Sequence, residues 1–150
     1  MTQPTLYFLM RSDIADMNPG KGMAQSGHIQ ADFDEVVAEV INGNTIGDEG
    51  LINNILEWKG DRNFGRTITK LATFDEIQEL FSLLCEPDWD ETLTLRGFTQ
   101  DGSYPYRNYY GKLFVEPQCT GAFLFVSGTS ENEPNWDEFK KALRAIEMHP

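Results

Sequence analysis

Short apolar runs alternate along this chain with amphipathic helical segments, and this alternation is the feature that most constrains the fold. Each apolar run has the length of a strand and is bounded by polar or turn-forming residues. The four runs span residues 6–11, 66–72, 92–98 and 121–128. An amphipathic helix must bury its apolar side against another element, so strands that alternate with helices indicate an α/β sandwich.

The predicted helices carry their own start and stop signals. They span residues 21–41, 48–58, 73–84 and 135–148. The sequence TFDE at 73–76 is a capping box, in which the first and last side chains satisfy amides at a helix start. Asn135 and Glu138 have the same spacing before the last helix. Since 150 residues are the length of one ordinary domain, we predict a single domain over 1–150.

The charge of the chain limits its partners. It has 24 acidic and 12 basic residues, for a net charge of -12. Such a protein repels phosphate backbones at long range, which favours a small ligand over a long nucleic-acid footprint. Cys85 and Cys119 have neither metal-ligand nor disulfide-framework spacing, and we predict no metal or cofactor. Because no segment approaches the length of a membrane span, we expect a cytoplasmic protein without membrane association.

The sequence NPGKGMAQSGH, residues 18–28, is the strongest candidate for a functional site. Lys21, Gln25 and His28 follow one another at i, i+4 and i+7, which places their side chains on one helix face. Together they predict a site for phosphate or ester oxygens that is bounded by a polar wall. The alternatives are that Gln25 is a solvated amide and that His28 is a structural histidine.

The position of Lys21 at the start of a helix is a second argument for an anion site. Amides at a helix N-terminus point outward unpaired, and the aligned peptide dipoles favour a negative charge there. Gly20 and Gly22 have no side chain and would let a ligand approach the backbone. The alternative is that PGKG is an ordinary turn.

A second cluster of candidate residues lies between the third and fourth apolar runs, in the predicted connection at 99–120. These candidate ligand-binding residues are Tyr104, Tyr106, Arg107, Tyr109, Tyr110 and Lys112. Tyrosine rings stack on bases while cations contact phosphate, which is how unpaired nucleotides are usually held. The alternative is that the tyrosines are packing anchors in a long loop.

The first strand, loop and helix resemble those of the type 2 peptidyl-tRNA hydrolase family. That family shows a hydrophobic strand ending in Arg-x-Asp, a Met-Gly-x-Gly-Lys-type loop and then Ala-Gln-x-x-His. The matching residues in this chain, in register without a gap, are Arg11, Asp13, Met17, Gly20, Lys21, Ala24, Gln25 and His28. The order of the remaining elements is also similar. The resemblance implies a three-layer α/β/α sandwich with a mixed four-stranded sheet.

The resemblance also implies an activity, namely hydrolysis of the ester that joins a peptide to the terminal ribose of tRNA. Lys21 would then contact the tRNA phosphate or ester oxygens, while Gln25 and His28 shape the site and Asp13 takes part in binding. The expected partner is the 3′ end of a tRNA or a small nucleotide. Because the family often forms dimers, a homodimer is a further expectation.

The second signature of the family, Asp-Ala-Gly-Arg-Thr-x-x-x-Pro, is altered in this chain. Aligned on Pro117, the chain reads NYYGKLFVEP, with Gly111 and Lys112 on the Gly-Arg positions and Tyr109 in place of the acid. Asp101, in the preceding residues, is the candidate to replace that acid and activate water. One alternative is an inactive relative that binds a nucleotide or RNA end through the anion site and the tyrosine-rich loop. Another is an inert scaffold that binds a protein.

Overall fold

The computed structural model describes residues 3–14, 17–43, 49–60, 65–85, 88–107 and 110–148. Within these ranges, four α-helices and five strands follow one another along the chain. Their bounds are β1 Thr5–Arg11, α1 Pro19–Ile41, α2 Glu49–Lys59, β2 Thr67–Ala72, α3 Phe74–Leu84, β3 Thr94–Arg107, β4 Leu113–Val126, α4 Trp136–Ala145 and β5 Glu147–Met148. A 3-10 helix, Gly128–Asn132, precedes α4. No helix in the described ranges is long and apolar enough to cross a membrane.

The strands form one mixed sheet in the order β3-β4-β1-β2-β5. β1 and β2 are parallel, while the pairs β1–β4, β3–β4 and β2–β5 are antiparallel. The predicted α/β class and mixed sheet of four strands are therefore confirmed. The structure adds β5, a two-residue strand at the edge beside β2. It forms where the sequence predicted the end of the last helix.

Side chains of the central strands alternate between two apolar clusters, as a strand buried on both faces requires. In β1, Phe8 and Met10 belong to the cluster that contains the apolar side chains of α1 and α2. Leu9 belongs to the other cluster, with the apolar side chains of α3 and α4. α1 is thus held over the face of the sheet that carries Met10.

The two predicted helix caps have different outcomes. In the capping box, the Thr73 hydroxyl accepts from the Glu76 amide, and the Glu76 carboxylate accepts from the Thr73 amide. This prediction is confirmed. Asn135 is the N-cap residue of α4, as predicted, but the predicted capping hydrogen bond is absent, because its amide group donates instead to the Leu83 carbonyl at 2.7 Å. Its side chain therefore ties the start of α4 to the end of α3.

The predicted tyrosine-rich loop is wrong, since its described residues mostly belong to a hairpin. β3 continues to Arg107 and β4 begins at Leu113, with two bulges in their pairing. Pro105 is tolerated because β3 is an edge strand, where a missing amide donor costs no ladder bond. We call residues 100–107 and 110–119 the hairpin arm. Among the described residues of β1, none pairs with this part of β4, since the β1–β4 ladder ends at Gly121.

Candidate functional site

The side chains of Lys21, Gln25 and His28 lie where α1 crosses the hairpin arm, which confirms that they share one helix face. The Lys21 ammonium donates to the Pro105 carbonyl at 2.7 Å. The Gln25 amide nitrogen donates to an Asp101 carboxylate oxygen at 2.9 Å. His28 Nδ1 lies 3.2 Å from the Gln25 amide oxygen. The structure therefore places Gln25 and His28 beside the carboxylate that the sequence offered only as a replacement acid, while Lys21 is bonded to the same strand at Pro105.

The Asp101 carboxylate is the centre of this cluster. One oxygen accepts from Gln25 and lies 3.9 Å from His28 Nδ1, and the other accepts from the Ser103 amide at 2.9 Å. The Ser103 amide above all, then the Gln25 amide and the nearby His28, lower the pKa of Asp101. The side chain is only 15% exposed. Asp101 is therefore ionised at neutral pH and held in a fixed orientation.

The Gln25 side chain relays this orientation to His28. An ionised carboxylate only accepts hydrogen bonds, so Gln25 must present its nitrogen to Asp101 and its oxygen to His28. The contact at His28 Nδ1 is then a hydrogen bond when Nδ1 carries a proton. In a neutral imidazole this leaves Nε2 as an acceptor. The buried amide of Gln25 thus fixes two ionisable groups at once.

A bulge in β3 turns the side chains of both Asp101 and Tyr104 toward α1. Between Asp101 and Tyr104, β3 advances three residues while its partner advances only two, from Gln118 to Glu116. The extra residue lets Asp101 and Tyr104 point to the same face despite their odd separation. As a result, Asp101 meets Gln25 while Tyr104 lies under Lys21.

Tyr104 has a different place from the one that the sequence predicted. Its ring is 1% exposed, and the Lys21 ammonium lies 5.2 Å from the ring centroid. A base has no access to such a ring, so the structure does not support stacking at Tyr104. The ring instead supports the aliphatic and charged parts of Lys21.

The predicted anion site at the start of α1 is not supported. The helix begins at Pro19, two residues earlier than predicted, with Asn18 as its N-cap. The Asn18 side chain accepts from the Lys21 amide at 3.0 Å, and the Asn18 carbonyl accepts from the Gly22 amide at 2.8 Å. The Lys21 and Gly22 amides are therefore paired within the chain, and the asparagine cap competes with an anion for donors at this helix start.

The two glycines beside Lys21 have separate environments. Gly20 is exposed, as a ligand-binding residue would be. Gly22 is buried, and a Cβ at this position would lie 3.1 Å from the terminal methyl of Met10. Gly22 therefore permits close packing of α1 on β1. A role in letting a ligand approach the backbone is not supported.

Asp13 also has a structural environment. Its carboxylate accepts from Arg11 Nε at 2.8 Å and from the amide of Phe74, the first residue of α3, at 3.2 Å. The hydrogen bond from Arg11 is the main cause of its lowered pKa. Arg11 also donates to the Cys119 carbonyl at 3.0 Å. Asp13 therefore connects β1 to the start of α3, and its predicted part in ligand binding is not supported.

The outer part of the arm carries the remaining predicted residues and one that the sequence interpretation missed. Tyr106 stacks on Phe114, with ring centroids 5.7 Å apart and planes 20° apart. Arg107 donates to the Gly111 carbonyl, and Lys112 lies over the Phe114 ring. The side chain of Tyr110 is 87% exposed. Tyr109 lies outside the described residues. Phe114 would have been found from the strand alternation if this segment had been interpreted as a hairpin.

The opposite flank of α1 borders a pocket of about 500 Å³. Its lining residues are Met10, Pro19, Gly22, Met23, Ser26, Thr67, Ile68, Thr69 and Met148. None of these lining residues is ionisable. The described lining thus offers space and hydroxyl groups but no group that can move a proton at neutral pH.

No family model and no curated protein matches this chain. Among the described residues, no group of three or more His, Cys, Asp or Glu side chains is arranged to hold a metal ion.

Proposed function

We propose that this protein is a peptidyl-tRNA hydrolase-like esterase, which cleaves the ester between tRNA and a peptide or blocked amino acid. The observation that carries the proposal is the Asp101 carboxylate, which lies 2.9 Å from the Gln25 amide and 3.9 Å from His28. The substrate class comes from the resemblance between 6–28 and the type 2 family. The three-layer sandwich of that family is the finer fold that we propose with it.

The four side chains have separate roles in this proposal. The Asp101 carboxylate takes a proton from water as the water oxygen attacks the ester carbonyl. Lys21 stabilises the negative charge that forms on the carbonyl oxygen. Collapse of the tetrahedral intermediate breaks the bond to the ribose oxygen, which receives the proton from Asp101. Gln25 holds the carboxylate, and His28 Nε2 is available to orient the substrate.

Hydrolysis of an N-acetylated aminoacyl-tRNA tests the proposal. Asp101→Asn removes the base while keeping the shape of the side chain, so we expect kcat to fall about 100-fold or more. Asp13→Asn is the matched control, because that carboxylate belongs to the junction of β1 and α3. Turnover should survive in the control. The absence of wild-type turnover above a no-enzyme reaction would reject the proposal.

Binding without cleavage is the second candidate function. The observation that favours it is the lowered pKa of Asp101, since a carboxylate with a lower pKa is a weaker base at neutral pH. Such a protein would hold the RNA end or a nucleotide and leave the ester intact. Retention of intact N-acetylaminoacyl-tRNA by the wild type, measured after equilibrium binding, would favour this candidate.

A further inference from the structure

We propose that the outer hairpin arm is a stacking platform for unpaired RNA nucleotides, which it leads toward the Asp101 site. This inference rests on the proposed function and names the part of the substrate that the chain grips. The platform consists of Tyr106 and Phe114 with Lys112 beside them.

The platform lies on the same face of the arm as the site. Tyr106 pairs with Phe114 across the strands, two residues beyond Tyr104, whose ring lies under α1. Side chains two residues apart on a strand point to one face. From Asp101 to Tyr106 the strand rises about 15 Å, which is the span of a few nucleotides.

The platform is held in place before any ligand binds. The Tyr106 hydroxyl donates to the Glu116 carboxylate at 2.9 Å, and this bond raises the pKa of the phenol. Arg107 donates to the Gly111 carbonyl at 3.0 Å, which links the end of β3 to the residues just before β4. A base that stacks on prearranged rings loses less free energy to side-chain ordering.

The charge of this segment favours a nucleic-acid partner. The arm contains the cations Arg107 and Lys112 against the acids Asp101 and Glu116, so it carries no net charge, whereas the whole chain has a net charge of -12. The Glu116 carboxylate already accepts a hydrogen bond from Tyr106. An RNA strand is repelled by a strongly acidic protein and is opposed less by a segment that carries no net charge. Aromatic rings beside cations are the usual means of holding single strands without sequence preference.

The two faces of the arm provide a matched test. Phe114 is 37% exposed on the platform face, and its neighbour Val115, which points to the opposite face, is 60% exposed. Stacking requires the ring of Phe114 and not the side chain of Val115. A protein partner would instead use the aliphatic side chains of Leu113 and Val115.

The first experiment measures fluorescence anisotropy with a labelled, unstructured RNA hexamer. We expect Phe114→Ala to weaken the Kd about tenfold or more, and Val115→Ala to leave it within about twofold. Phe114→Tyr should restore binding, whereas Phe114→Leu keeps apolar bulk without a π face and should not. Since the leucine variant retains packing against Tyr106, it separates lost stacking from a misfolded arm.

Two outcomes of that titration would overturn the platform. One is equal weakening by Phe114→Ala and Val115→Ala, which would indicate an aliphatic docking surface for a protein. The other is that the wild type does not bind the hexamer at all, or that it binds an RNA duplex of the same length as tightly as the single strand. In a salt titration, Lys112→Ala should reduce the slope of log K against log salt by about 0.7, the value for one phosphate contact on a single strand.

Kinetics on N-acetylaminoacyl-tRNA separate this inference from the proposed function. Phe114→Ala should raise KM and leave kcat unchanged, since the ring lies away from the ester. Hexamer binding that depends on Phe114, without any hydrolysis, would reject the esterase and support the platform. If the protein hydrolyses the ester, but Phe114→Ala changes neither the KM nor the hexamer affinity, the platform is rejected and the esterase is supported.

Discussion

The two flanks of α1 are adjacent on one helix and yet differ in chemistry. On the hairpin flank, Lys21 and Gln25 are hydrogen-bonded to β3. On the pocket flank, Gly22 and Ser26 border an open space beside Met10. Gln25 and Ser26 are consecutive in the chain, but one meets a carboxylate and the other donates to the Gly22 carbonyl and lies near the Met10 sulfur.

The strand opposite each flank accounts for this difference. β3 arrives with a bulge that aims Asp101 at the helix, whereas β2 presents Thr67, Ile68 and Thr69. A pocket supplies volume, but moving a proton needs a charged group with fixed partners. A polar helix face of this protein therefore becomes a candidate site only where a neighbouring strand supplies the charge that completes it.

Loss of the cation on the hairpin flank should have the largest effect. Lys21→Met keeps the length of the side chain and removes its charge, so we expect kcat for the blocked aminoacyl ester to fall about 100-fold, or about 2.7 kcal/mol. Met23→Ala, on the pocket flank and 78% exposed, should leave kcat unchanged. A large fall in Tm with normal turnover in the methionine variant would show that Lys21 is structural.

The position of the hairpin arm beside α1 depends on Gly121, the residue of β4 at which the arm leaves the rest of the sheet. A Cβ there would lie 2.6 Å from the Leu9 carbonyl oxygen and 3.0 Å from a methyl of Ile29. Because a backbone carbonyl cannot move aside, Gly121→Ala should lower the free energy of unfolding by about 2 kcal/mol in urea titration. Gly102→Ala is the control, since nothing lies within 4 Å of its added Cβ. Equal stability of both variants would contradict this account.

Asp13 tests whether a carboxylate outside the hairpin flank contributes only to stability. Asp13→Asn should lower the free energy of unfolding by about 1 kcal/mol at pH 7 without changing turnover. The folded pKa of Asp13 is below its ordinary value, so the stabilisation is present above the unfolded pKa and lost as pH falls. The difference from wild type should therefore shrink below about pH 4. If the stability difference between Asp13→Asn and the wild type grew in acid, the ionised Asp13 carboxylate would not be the source of the stabilisation.

A substitution on the pocket flank should have the smallest effect on stability. Gly22→Ala brings a methyl within 3.1 Å of Met10 Cε, but that group ends a flexible side chain that borders the pocket and has room to move. The better helix propensity of alanine offsets part of the cost. We expect the free energy of unfolding to change by less than about 1 kcal/mol in the same urea titration. A loss above 2 kcal/mol would show that both flanks are equally rigid.

The hairpin arm shows where sequence interpretation failed. Gly102, Pro105 and Gly111 are turn-forming residues, so the segment was predicted as a connection. At Gly102 and Pro105, pairing with β4 overrides these local preferences, because bulges and an edge position accommodate residues that a regular strand would exclude. Gly111 lies outside both strands and has a φ of 77°, in keeping with its turn-forming character. The same error hid Phe114 and left Asp101 as a carboxylate without a defined place.

The sequence by itself determined the features that depend on residues a few positions apart. These are the strands and helices of the core, the capping box at Thr73 and the shared face of Lys21, Gln25 and His28. The tertiary structure decided which of these features meet. Gln25 and Asp101 are 76 residues apart in the chain, and their contact follows from strand order and a bulge. Local hydrogen bonds and periodicity are encoded within one helical turn, whereas contacts between distant residues arise only when the whole sheet assembles.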